Sequence, residues 1–169
     1  DWPEAARLDH FPALDGAPSF ADVRVAWNAT GLGVQVTVVG KEADPEGDVE
    51  KPRSSDGVTV WIDTRDSRTS HRASRYCHQF HLLPSGGGPD KDEPAVQQTK
   101  INRALQDAPL LAAGTVPFRC VREKSGYRVE AYFGAAVLTG FDPEQFPRLG
   151  IYYHVRDGEL GDQYLGVNA

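Results

Sequence analysis

The sequence predicts an all-β protein: a two-sheet antiparallel β-sandwich, jelly-roll or immunoglobulin-like, with very little helix. Short apolar runs alternate with period two, most clearly Val58, Val60 and Ile62, then His78, Phe80 and Leu82, as half-buried strands do. Clusters of Gly, Pro, Asn, Asp and Ser punctuate these runs at 28–33, 85–90 and 124–126, and such clusters mark turns. Sustained helical periodicity and α/β alternation are both missing. Many short strands of this kind bury their apolar faces by stacking as two sheets.

A length of 169 residues suggests a single domain, 1–169, with 1–18 as an irregular lead-in rich in Pro and Ala. A chain of this size buries about 70% of its unfolded surface, so it needs no metal or disulfide staple. The composition, 40% hydrophobic and 25% charged, is that of a globular protein. A net charge of -6 argues against a broad basic face for nucleic acid. Arg65, Arg68, Arg72 and Arg75 cluster, but Asp63 and Asp66 interleave with them, so the segment reads as a solvated, salt-bridged loop. No apolar run approaches the ~18 residues of a membrane span. The chain starts at Asp1 and has no Met, which suggests a processed protein or a piece of a longer one. Cys77 and Cys120 both fall in expected strands. They would either pair across a sheet or remain as buried free thiols.

Val23, Val25 and Trp27 alternate with polar neighbours and predict a first strand with Trp27 on its core face. A turn at 28–33 leads to a second strand marked by Leu32, Val34, Val36 and Val38, and the short connection predicts a hairpin. Residues 41–55, charged and carrying Pro45, Gly47 and Pro52, form a long loop of the kind that shapes binding sites. Strands at 58–63 and 77–84 follow, then the 85–90 breaker cluster, a short strand at 95–99 and an irregular stretch over 102–113. Residues 116–122 and 127–133 read as two more strands. Tyr127, Val129, Ala131 and Phe133 point inward, with Arg128, Glu130 and Tyr132 outward. One helical turn fits 135–138. Leu149, Ile151, Tyr153 and Val155 mark a core-facing strand, and 161–169 adds a last short one.

The chemistry is expected on the outer face. Trp61, His81, Glu130, Tyr132, Tyr152, His154 and Arg156 all have outward parity. If their strands are neighbours, they form an aromatic and polar strip. Sugar rings stack their C–H faces on flat aromatics, and their hydroxyls need partners such as Glu, Gln, Asp and Arg. The alternative is that Trp61 lies under a covering loop with its N–H bonded to backbone. Of five histidines, His78 and His81 are on opposite faces, and His78 reads as a core-facing imidazole bonded to a partner. His81, His154 and Glu130 would complete a three-ligand metal site if they converged. Asp56, Asp63 and Asp66 near strand ends would either hold calcium or cap loops, and no EF-hand spacing is present. Gly-x-Ser-x-Gly does not occur, and Gly86 to Gly88 lacks the frame of a phosphate loop. Nothing in the spacing singles out a carboxylate pair for glycoside cleavage.

Four segments, taken in order, resemble family 9 carbohydrate-binding modules and their relatives in the DOMON-like superfamily. Val23-Arg-Val-Ala-Trp-Asn with Gly31-Leu-Gly-Val-Gln-Val is similar to the family's opening hairpin. Ser55-Asp-Gly-Val-Thr-Val-Trp-Ile-Asp63 resembles its Asp-x-Val strand. Gly126-Tyr-Arg-Val-Glu-Ala-Tyr-Phe133 is similar to the strand with a Val-Glu pair. Arg148-Leu-Gly-Ile-Tyr-Tyr-His-Val-Arg-Asp157 resembles the late strand ending in Asp. The resemblance implies a sandwich of two antiparallel sheets, non-catalytic saccharide binding by aromatics, calcium as an occasional structural ion, and a place within a larger periplasmic or secreted protein. The 64–75 loop is longer and richer in Arg than the family pattern, and Trp61 is the best-placed candidate for a sugar-clamping tryptophan. Relatives that bind haem through His and Met imply a further reading. The absence of Met rules out that ligand pair and leaves only His81 with His154.

Overall fold

The computed structural model describes residues 1–166 and shows nine strands in two antiparallel sheets. The strands are β1 Ala21–Asn28, β2 Gly31–Val39, β3 Gly57–Asp63, β4 Cys77–Gly87, β5 Glu93–Thr99, β6 Phe118–Glu123, β7 Gly126–Gly134, β8 Gly150–Asp157 and β9 Gly161–Tyr164. One sheet has the order β1-β2-β7-β6 and the other β5-β4-β3-β8-β9.

The core follows the alternation. Val23, Val25, Leu32, Val34, Val36, Val38, Tyr127, Val129, Ala131 and Phe133 line the inner face of the four-stranded sheet. Val58, Val60, Ile62, Phe80, Leu82, Tyr153 and Val155 answer from the five-stranded sheet. The Phe80 and Phe133 rings meet across the interface with centroids 4.6 Å apart. Each fully buried large apolar side chain contributes about 1.5–3 kcal/mol relative to exposure. The β6–β7 turn requires Gly126: its φ is +154°, and a Cβ there would run into the Val38 carbonyl.

Several expectations change. The breaker cluster does not end β4, which runs on to Gly87 because Gly87 still pairs with Glu93 across a register shift. The lead-in is not wholly irregular. It forms short 3₁₀ turns at Glu4–Ala6 and Phe11–Asp15, and Leu8 N–H donates to Val23 O at 2.8 Å. That contact, with the Arg7–Arg24 bridge, covers part of the free edge of β1. Trp27 is not in the core but 50% exposed. It stands one residue from the end of an edge strand, where inward parity no longer finds a facing sheet. The arginine-rich loop contains one ion pair, Arg68 with Asp66 at 3.0 Å. Arg65 instead lies 3.5 Å from the Phe146 ring centroid, and Arg72 donates to Arg103 O at 2.7 Å. Cys77 and Cys120 are both free and sit in different sheets. Residues 167–169, the end of the last expected strand, lie outside the described residues.

Two buried polar clusters position the elements around the outer face. The Lys41 ammonium, 4% exposed, sits 3.1 Å from Asp157 Oδ1 and 3.3 Å from Asp56 Oδ2. It thereby ties the start of the 41–55 loop to β3 and β8. Gln163 in β9 accepts from Phe20 and Ala21 N–H, both at 2.9 Å, and donates to Ala21 O at 2.8 Å, clasping the two sheets together.

Candidate functional site

The outer face of the five-stranded sheet is built by register. Trp61 in β3 has Gln79 beside it in β4 and Tyr152 in β8. Thr59, two residues earlier, is flanked by His81 and His154. Period two places all six side chains on the same side of the sheet. Arg53, Ile101 and Asn102 border the same cleft, and Thr59, Gln79 and His81 are buried although they face away from the core.

The indole is fixed. Trp61 Nε1 donates to Gln79 Oε1 at 2.6 Å, and Gln79 Nε2 in turn donates to Thr99 Oγ1 at 2.6 Å. Its ring leans on Tyr152, with centroids 5.7 Å apart and an interplanar angle of 55°. The N–H partner is thus a side chain rather than the backbone, and the ring stays partly open to solvent. A cleft of about 340 Å³ lies on one side of it, reaching Ser70, Arg72 and Tyr152. A second of about 380 Å³ lies on the other, lined by Arg53, Thr59, Gln79, His81, His154 and Arg156. Trp61 and Ile101 border both.

The second cleft has a distinct electrostatic character. His81 bonds Thr59 Oγ1 through Nδ1 and Thr99 Oγ1 through Nε2, each at 2.8 Å. Burial, helped by the Arg156 and Arg53 charges, lowers its pKa to about 4. Burial also lowers the His154 pKa, against the opposing pull of its 2.7 Å contact with Asp162, and its ring stacks on Tyr164 with centroids 4.1 Å apart. Arg156 donates to Thr59 Oγ1 at 2.7 Å and to Pro52 O at 2.9 Å. At neutral pH the cleft presents neutral imidazoles and positive guanidiniums.

The expected strip is divided. Trp61, His81, Tyr152, His154 and Arg156 share this face. Glu130 and Tyr132 do not: β7 belongs to the four-stranded sheet, so their outward side is the opposite surface of the sandwich. There Glu130 accepts from Gln35 Nε2 at 2.6 Å and from Arg119, and the Tyr132 hydroxyl contacts Thr30 Oγ1 at 2.9 Å. The ligand set His81, His154 and Glu130 therefore cannot converge. Parity specifies a face within a sheet but not which sheet. Both His81 nitrogens are also engaged with threonines, which leaves neither for zinc or haem. No group of three or more potential ligands gathers among the described residues. Asp63 and Asp66 cap the loop instead: Asp63 Oδ1 and Oδ2 accept from Arg65 and Ser67 N–H, both at 2.9 Å, while Asp66 pairs with Arg68. Asp56 is committed to Lys41. His78 faces the core, its Nε2 accepting from Thr139 N–H at 2.9 Å.

Sequence reasoning missed Thr59, Gln79 and Thr99 as site residues, although Thr59 and Gln79 share outward parity with Trp61 and His81. Arg53 and Ile101 come from loops, and no periodic signal marks them.

The architecture is a β-sandwich with an aromatic-floored cleft on one outer face, and solved carbohydrate-binding modules share that fold. One is a family 9 carbohydrate-binding module from Caldicellulosiruptor kristjanssonii in complex with cellotriose, with a TM-score of 0.58 at 14% identity over 95% of this chain and 71% of that one. Another is a family 9 module from the same organism in complex with glucose, with a TM-score of 0.52 at 15% identity over 86% of this chain and 65% of that one. At such identity the likeness is one of fold. No protein-family model and no curated protein matches the sequence.

Proposed function

We propose that this chain is a non-catalytic carbohydrate-binding module whose ligand lies across the outer face of the five-stranded sheet. The observation that carries the reading is the Trp61 ring, locked by Gln79, leaning on Tyr152 and open to clefts on both sides. A pre-oriented aromatic suits the C–H face of a sugar ring, because little side-chain freedom remains to be lost on binding. His154 and Arg156 border the cleft where hydroxyls would lie, with His81 as the buried imidazole that sets its floor. The fold shared with modules in complex with cellotriose and glucose supports the same reading. Such a module would serve neighbouring domains of a parent chain in a periplasmic or secreted protein by holding them on a polysaccharide.

Glycan-array screening followed by calorimetry on the hits tests this. Saccharide binding that is lost in Trp61→Ala, with the β-sheet circular dichroism of the folded chain retained, is the expected result. A blank array across plant and bacterial glycans would refute the proposal.

A further inference from the structure

We infer that the saccharide held beside Trp61 is an acidic one, a hexuronic acid unit whose carboxylate is taken by Arg156 and Arg53. This rests on the carbohydrate-binding reading and names the chemical class of its ligand.

Arg156 is half-buried, yet its hydrogen bonds go to uncharged acceptors, Thr59 Oγ1, Pro52 O and, at 3.5 Å, His154 Nδ1. Its Nε is buried without a partner. Arg53 stands exposed at the rim of the same cleft. Neither guanidinium forms an ion pair among the described residues; of the other arginines without one, Arg65 lies over the Tyr76 and Phe146 rings and Arg72, Arg75, Arg103, Arg122 and Arg148 are exposed, which leaves Arg156 as the half-buried one with neither a carboxylate nor an aromatic face. The carboxylate nearest in register to Arg156 is Asp162, and its Oδ1 is bonded to His154. No Asp or Glu lines the cleft. The neighbouring imidazoles are held neutral by burial, so they add no charge and accept none.

A positive cleft on a chain of net charge -6 is a local feature and not a consequence of overall composition. A guanidinium withdrawn from water without a counter-ion is costly. A neutral sugar would satisfy donor atoms there but would leave the charge with only the cross-strand Asp162, whose carboxylate is turned to His154. A carboxylate supplies both, and its planar pair of oxygens matches the guanidinium fork. The uronate ring would keep its C–H face for Trp61, and its C6 carboxylate would reach toward Arg156.

The test compares oligosaccharides that differ only in oxidation at C6, such as oligogalacturonate with oligogalactose and oligoglucuronate with oligoglucose. Binding is measured by calorimetry on the intact chain, with the tryptophan fluorescence that Trp61→Phe removes as a second readout, at low and high salt. The acidic member of one pair is expected to bind about tenfold more tightly, the difference between a charge-assisted hydrogen bond and a neutral one. The preference should shrink as salt rises. Arg156→Gln should remove the preference. Because Arg156 also anchors Pro52, the exposed Arg53→Gln provides a second variant that should weaken acidic ligands several-fold more than their neutral counterparts. A neutral member binding as tightly as its acidic counterpart would overturn the acidic assignment and leave the carbohydrate reading standing. Failure of both members, with tryptophan fluorescence unmoved, would overturn both.

Discussion

Replacing Lys41 with Met should destabilise this protein far more than an ordinary charge deletion. The Lys41 ammonium is almost wholly buried and lies 3.1 Å from Asp157 Oδ1, 3.3 Å from Asp56 Oδ2 and 3.6 Å from Glu159 Oε2. Burial opposes its charge, but the hydrogen bond to Asp157 and the nearby Asp56 carboxylate prevail and raise its pKa above the usual lysine value. Its contribution is therefore complete at neutral pH and is lost only as pH rises through that raised value. Met fills a similar volume, so packing changes little. What remains is a pair of buried carboxylates facing each other with no cation between them. Removing one partner of a buried pair costs about 3–5 kcal/mol. The lower end applies here, because Asp157 Oδ1 keeps the Glu159 and Leu160 N–H groups and Asp56 keeps those of Glu46 and Gly158. A loss of about 3 kcal/mol in a chain of this size lowers Tm by roughly 6–12 °C. Thermal and urea melts of Lys41→Met and wild type at neutral pH measure this. A Tm within about 2 °C of wild type at neutral pH, where the full effect is expected, would refute the view that this cluster holds the 41–55 loop to the sandwich.

Gln79→Leu removes the Trp61 and Thr99 bonds together; stability should fall by about 1–3 kcal/mol, the cost of orphaned buried polar groups, and saccharide affinity should drop with it in calorimetry. His81, with its pKa lowered to about 4, favours the folded state above the ordinary histidine pKa and loses that contribution as pH falls toward the depressed value. Melting temperature should therefore decline as the solution is acidified through this window, and His81→Gln should show a shallower decline in the same series. Cys77 and Cys120 are free thiols whose pKa values burial raises. Thiol titration of unreduced protein should find both titrating slowly when folded and promptly in denaturant, and an absence of thiols would indicate a disulfide instead.

Alternation alone identified most strands and their inward faces, because a period-two pattern of Val, Ile, Leu and Phe has only one way to bury its apolar side. It also placed Trp61, Tyr152, His154 and Arg156 on an outward surface, since those side chains share parity within β3 and β8. Parity carries no information about sheet membership. Glu130 and Tyr132 have the correct parity and lie on the opposite surface, because β7 pairs with β2 rather than with β3. Nor does parity report what covers a face. His81 points outward and is still fully buried beneath Thr99 and the neighbouring loop residues. Trp27 points inward and is half exposed, because its strand lies at an edge. Strands and faces were thus set by local pattern. Which strands became neighbours, which arginines were left without a carboxylate and where a cleft opened beside the indole were decided by long-range pairing and by loops whose sequences have no period to read.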